Sequence, residues 1–123
     1  MQPSRIYTEL RAIVEKTSGA PELLRQALAP VADDIAVAFI YGSTAKGKNR
    51  TNSDVDLLVV GGVDMAELVE RLGPVEERIQ REISPRLFSP KEFAARLKAR
   101  DRFLTSIVRG PKLMVLGELH EPR

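Results

Sequence analysis

Two apolar runs organise the chain, Ile35 to Tyr41 and Val55 to Val60, the second interrupted only by Asp56. Short continuous apolar runs bounded by glycine, asparagine, serine and aspartate read as buried strands. Helical spacing surrounds them. Ile6, Leu10, Ile13, Val14 and Thr17 form one stripe over residues 4–18, stopped by Gly19 with Pro21 close behind. Pro21 and Glu22 open a second short helix with Leu23, Leu24, Ala27 and Leu28 inward, ending near Pro30. Asp33 and Asp34 are adjacent, so on a strand they would face opposite ways; they read as a turn, not as a metal pair.

Beyond the second strand, Gly61 and Gly62 break the extended run and Asp64 caps a helix whose apolar positions are Met65, Leu68, Val69, Leu72, Val75 and Ile79. Gly73 and Pro74 predict two helical pieces, or one kinked helix, on a single face of the sheet. Ile83 to Phe88 reads as a short third strand, and Pro85 suits an edge position. Ser89, Pro90 and Glu92 form a capping-box start for a helix with Phe93, Ala94 and Leu97 inward. Asp101 caps a last helix through Arg109, with Phe103, Leu104, Ile107 and Val108 apolar; Gly110 and Pro111 end it, and Leu113 to Leu116 closes as a strand. The pattern is α/β (α+β), read as a single domain: N-terminal helices over 1–34, a core over 35–117 and a tail over 118–123.

A chain of 123 residues can bury one core unaided. It contains no cysteine, which removes disulfides, thiolate zinc sites and a cysteine nucleophile and agrees with a reducing, cytoplasmic compartment. No stretch is apolar enough to span a bilayer and the N-terminus lacks a secretory pattern, so no membrane partner is expected. The net charge of +2 excludes little, but its distribution is uneven. Asp64 to Glu82 holds six acidic and three basic residues, whereas Lys91 to Lys112 holds seven basic and two acidic. The basic third admits a nucleic-acid partner, although solvated helix faces are the favoured reading of it. His120, the single histidine, stands in a polar tail and reads as solvated.

The chemistry concentrates between the two strands, from Gly42 to Asp56. A glycine directly after a buried strand lets the backbone approach a bulky anion, and Ser43 offers an amide and a hydroxyl beside it. Lys46, Gly47, Lys48 and Arg50 add charge and freedom, with Lys46 the first choice to reach a triphosphate. Asp54 and Asp56 are one residue apart, so on a strand both carboxylates leave the same face. Paired hard oxygen donors suit Mg2+, which takes its remaining ligands from water and substrate phosphates. A carboxylate between Val55 and Leu57 is costly unless a cation or donors compensate it.

This constellation of Gly42-Ser43, ten residues, then Asp54-Val55-Asp56 resembles the polymerase beta-like nucleotidyltransferase superfamily, in particular its minimal nucleotidyltransferases. The resemblance implies a small mixed β-sheet carrying helices. It also implies nucleotide binding by Gly42 and Ser43, and Asp54 and Asp56 as catalytic metal ligands for Mg2+. The implied reaction moves a nucleoside monophosphate from a nucleoside triphosphate, first of all ATP, to a hydroxyl, with release of pyrophosphate. Minimal relatives often pair with a small all-helical HEPN protein as toxin and antitoxin, so the implied acceptor is a protein, with RNA as a further candidate. Active members usually carry another carboxylate on the third strand, and alignment of Arg81-Glu82-Ile83-Ser84 puts Ser84 there. Glu82 shares a strand face with Ser84 and is the acidic residue nearest to hand. The alternative is a catalytically impaired nucleotide-binding antitoxin or regulatory module. Tyr7 to Leu10 with Glu15, Lys16, Thr17 and Gly19 resembles the join to a winged-helix DNA-binding domain in longer relatives.

Overall fold

The computed structural model describes residues 19–42 and 54–119. The expected first helix over 4–18, the loop residues Ser43, Lys46, Gly47, Lys48 and Arg50, and His120 lie outside these residues. Helix α1 (Ala20–Leu28) runs into a 3₁₀ segment (Ala29–Asp34) and then strand β1 (Ile35–Tyr41). Strand β2 (Val55–Gly61), helix α2 (Met65–Ile79) and strand β3 (Ile83–Phe88) follow. Helices α3 (Pro90–Lys98) and α4 (Arg102–Arg109) then lead into strand β4 (Leu113–Leu116). The sheet order is β3-β2-β1-β4, with β1 antiparallel to both β2 and β4, and β2 parallel to β3. Proline at position 85 is tolerated because β3 is an edge.

Both faces of the sheet are covered, which is why β1 and, apart from Asp56, β2 read as continuous apolar runs. On one face Ala38, Ile40, Leu57 and Val59 meet Leu24 and Leu28 of α1 and Leu68, Leu72, Val75 and Ile79 of α2. On the other, Val37, Phe39, Tyr41, Leu58 and Val60 meet Phe93 of α3 and Leu104, Ile107 and Val108 of α4. Strict alternation would put Ile35 with Val37. A register shift between those residues inserts a bulge, and Ile35 joins the first face instead.

The helix starts are side-chain capped as read from sequence. Asp64 accepts from the Ala66 amide at 3.2 Å, Ser89 from Glu92 at 3.0 Å and Asp101 from Leu104 at 3.0 Å. Helix α2 is continuous through Gly73 and Pro74. Its inward stripe is narrower than the spacing predicted: Leu68, Leu72, Val75 and Ile79 are buried, whereas Met65 and Val69 are exposed. Ala94 is also exposed on α3. Arg25 of α1 donates from Nε to the Val115 carbonyl at 2.8 Å, fastening that helix to the edge strand β4 and occupying an acceptor that would otherwise stay open.

Gly61 closes β2 where the chain has no room for a side chain. A Cβ there would lie 2.2 Å from the Asp34 carbonyl oxygen and 2.8 Å from the Ile35 Cα, both backbone atoms. Gly61→Ala is therefore expected to cost about 1–3 kcal/mol through forced displacement of the β1 entry. Gly62→Ala, which meets nothing within 4 Å, should stay within about 0.5 kcal/mol. Paired denaturant titrations of the two variants measure the difference.

Candidate active site

The end of β1, the start of β2 and the start of β3 converge on one sheet face. Tyr41 stands opposite Asp56 in the antiparallel pair, and Asp56 stands beside Ser84 in the parallel pair. Asp56 belongs to the same strand face as Leu58 and Val60, so its carboxylate continues the apolar face that α3 and α4 cover. It is half-buried; Asp54, immediately before the strand, is exposed.

Gly42 has φ +82, and a Cβ on it would fall 2.7 Å from Asp56 Oδ2. The carboxylate thus lies directly against the backbone of the turn, a closeness that only glycine permits. The Ser84 hydroxyl donates to Asp54 Oδ2 at 2.9 Å, orienting the exposed carboxylate from the neighbouring strand. Glu82 contributes its carbonyl to the Val55 amide at 2.8 Å, and the residue is exposed. No group of three or more acidic, histidine or cysteine side chains forms a metal cluster among the described residues.

Burial, then the neighbouring Asp54 charge, push the Asp56 carboxyl above its ordinary value, and Arg86 pulls the other way. Two carboxylates that repel one another and are joined by no third acid fit a single divalent ion whose other ligands come from water and phosphate. Gly42, Asp54 and Asp56 are thus brought together as the sequence implied. Ser43 and Lys46 lie outside the described residues.

The site has a wall that sequence reasoning missed. Arg86 lies on β3 two residues beyond Ser84, opposite Leu58 in register. Its guanidinium carbon lies 4.6 Å from the Phe103 ring centroid, and its charge acts on the Tyr41 phenol. Phe103 meets Tyr41 edge-on at 6.1 Å, and Tyr41 meets Phe39 at 6.4 Å. Burial and the Asp56 charge raise the Tyr41 pKa, offset by the Arg86 charge. Phe103 reads from sequence as an apolar helix position; at 39% exposure it turns toward Arg86 and Tyr41. Strand parity was the missed signal, because the face shared by Glu82 and Ser84 extends one step further to Arg86.

The basic C-terminal third gathers elsewhere. Arg100, Arg102 and Arg109, with Thr105 and Ser106, line a cavity of about 540 Å³ between α3 and α4.

A four-stranded mixed sheet with helices on both faces, a glycine turn and an aspartate pair at one strand end define a nucleotidyltransferase domain. The family model described as Polymerase beta, Nucleotidyltransferase matches residues 24–114, and the chain belongs to that family. Among solved structures, it is similar to a toxin-antitoxin with AMP-PNP, at 16% identity and TM-score 0.54, covering 80% of this chain and 73% of that one. It is also similar to a toxin-antitoxin MntA-HpeT double aspartate-to-glutamate mutant, at 15% identity and TM-score 0.51, covering 76% of this chain and 69% of that one. No curated protein matches the chain in sequence. Among the described residues, no helix is long and apolar enough to cross a membrane.

Proposed function

We propose that this chain is a Mg2+-dependent nucleotidyltransferase that moves a nucleoside monophosphate from ATP to a hydroxyl of a protein acceptor and releases pyrophosphate. The observation that supports this reading is the Gly42 backbone pressed against the Asp56 carboxylate, with Asp54 bonded to Ser84, the register partner of Asp56. Asp54 and Asp56 would hold the metal, which when bound neutralises phosphate charge and acidifies an acceptor hydroxyl. Gly42 leaves the turn free of a side chain, so a triphosphate can approach the backbone, with Ser43 and Lys46 as its further ligands. Ser84 holds the Asp54 carboxylate in one orientation. The acceptor oxygen bonds to the α-phosphorus as the bond to the bridging oxygen breaks, the hydroxyl proton leaves to solvent beside Asp54, and pyrophosphate departs.

Two structural neighbours are toxin-antitoxin assemblies, one of them with AMP-PNP, which supports ATP as donor and a small helical HEPN-type protein as partner and acceptor. The reaction belongs to the cytoplasm, where nucleoside triphosphates are at hand. A second reading is favoured by Ser84: a neutral hydroxyl stands where the family resemblance implies a third carboxylate, and the chain then acts as a nucleotide-binding antitoxin without turnover.

Incubation with Mg2+, each α-labelled triphosphate and a cell extract separates the two. Protease-sensitive label that falls at least about 100-fold with Asp54→Asn is the expected result for the transferase. Ribonuclease-sensitive label would move the acceptor to RNA. Bound nucleotide without any label would establish the antitoxin reading.

A further inference from the structure

Arg86 is the cation that the carboxylate site already contains. It extends from the edge strand on the side of the sheet that carries Asp56 and Ser84, and it acts on Asp56 as a countercharge. The Phe103 ring face packs against it at 4.6 Å, and that ring is itself set edge-on against Tyr41. A guanidinium has five N–H donors in a planar fork, and stacking on a ring face leaves them available. Among the described residues it makes no ion pair with a carboxylate within salt-bridge distance, and its side chain is exposed. Such a group is preorganised for a bidentate anion.

The charge balance at the site points the same way. The charged groups named at the site among the described residues, Asp54, Asp56 and Arg86, sum to one negative charge, and Ser84 adds none. Three carboxylates would require two divalent ions to become attractive to a triphosphate; this set requires one. We infer that Arg86 is a phosphate-binding residue that takes the place of a second metal ion, so that the site works with a single divalent cation and holds a triphosphate partly without any. The inference rests on the nucleotide-binding reading above and deepens it. A competing role is purely structural: Arg86 would brace α4 against the sheet through Phe103.

The two roles differ in sign. Equilibrium binding of ATP in EDTA, and of Mn2+ alone followed by electron paramagnetic resonance, are measured on the full chain for wild type, Arg86→Lys and Arg86→Gln. The expected result is that wild type binds ATP in EDTA and Arg86→Gln weakens this about tenfold, with Arg86→Lys between them. Mn2+ binding without nucleotide tightens severalfold in Arg86→Gln, because a repelling cation has been removed. With ATP present, wild type binds one Mn2+ per chain. A brace would move neither affinity, or weaken both together with the thermal midpoint, and either pattern overturns the inference. So does ATP binding by wild type only when metal is present, or two Mn2+ per chain. ATP binding with Mg2+ that is unchanged in Arg86→Gln sinks this inference alone, whereas no ATP binding by wild type under any condition sinks the function reading with it.

Discussion

Asp56→Asn is expected to lower nucleotidyl transfer by about 1000-fold while making the metal-free protein more stable. The loss follows from removing one of two charged oxygen donors from a site that has no third acid among the described residues. The gain follows from the position of the carboxylate. It is half-buried on a strand face that continues into Leu58 and Val60, with Asp54 beside it. Burial and then Asp54 raise its carboxyl above the ordinary value, so the folded protein binds that proton more tightly than the unfolded chain does. Ionised Asp56 therefore opposes folding. Its contribution to stability declines as pH rises from the ordinary carboxylate value through the raised one, and stays at its lowest level above that. Asparagine keeps the shape and carries no charge, so the variant's thermal midpoint in EDTA should exceed wild type by about 2–4 °C at neutral pH. The difference should vanish in acid, where wild-type Asp56 is itself protonated. Saturating Mg2+ should narrow it at neutral pH by stabilising only the wild type. Thermal unfolding across pH, with and without Mg2+, reads all three outcomes; a variant less stable than wild type in EDTA at neutral pH would contradict the account.

Gly42→Ala carries the next largest effect, on both stability and activity. At φ +82 an L residue pays about 1–2 kcal/mol for its backbone alone. Its Cβ would also lie 2.7 Å from Asp56 Oδ2, closer than side-chain carbons approach their neighbours. Either the turn opens or the carboxylate rotates away, and both displace the metal ligand relative to the nucleotide. Displacements of this size cost about 100-fold in rate. The combined loss of stability should be about 2–4 kcal/mol. Gly73→Ala is the control. It lies in α2 with nothing within 4 Å of a new Cβ, and alanine there should stabilise by about 0.4–1 kcal/mol without touching activity. A Gly42→Ala protein with wild-type transfer would show that the turn does not position Asp56.

Much of this architecture was legible in local signals. The apolar runs marked β1 and β2 because each strand supplies both faces of its own burial pattern. Asp64, Ser89 and Asp101 announced their helices because a cap acts within three residues of itself. Pro85 located an edge because it removes a backbone donor wherever it sits. Asp54 and Asp56 were paired by strand parity, a property of the backbone that needs no knowledge of the partner strands.

What local signals could not carry was decided by approach of distant segments. Spacing put Met65 and Val69 on the apolar stripe of α2, but how far round that stripe is covered is decided by the sheet and by α1 packed beside it. Parity put Ile35 with Val37 until the bulge against Gly61 reversed it. Phe103 reads from sequence only as an apolar helix position, and no local signal beyond strand parity singles out Arg86. They meet because the chain after β3 folds α4 back over the face that carries Asp56, which sets the ring against the guanidinium at 4.6 Å. The sequence by itself determined the strands, the caps and the aspartate pair, since each depends on neighbours within a few bonds. The tertiary structure alone decided that an arginine faces that pair, because this depends on the parallel register of β2 with β3 and on the docking of α4.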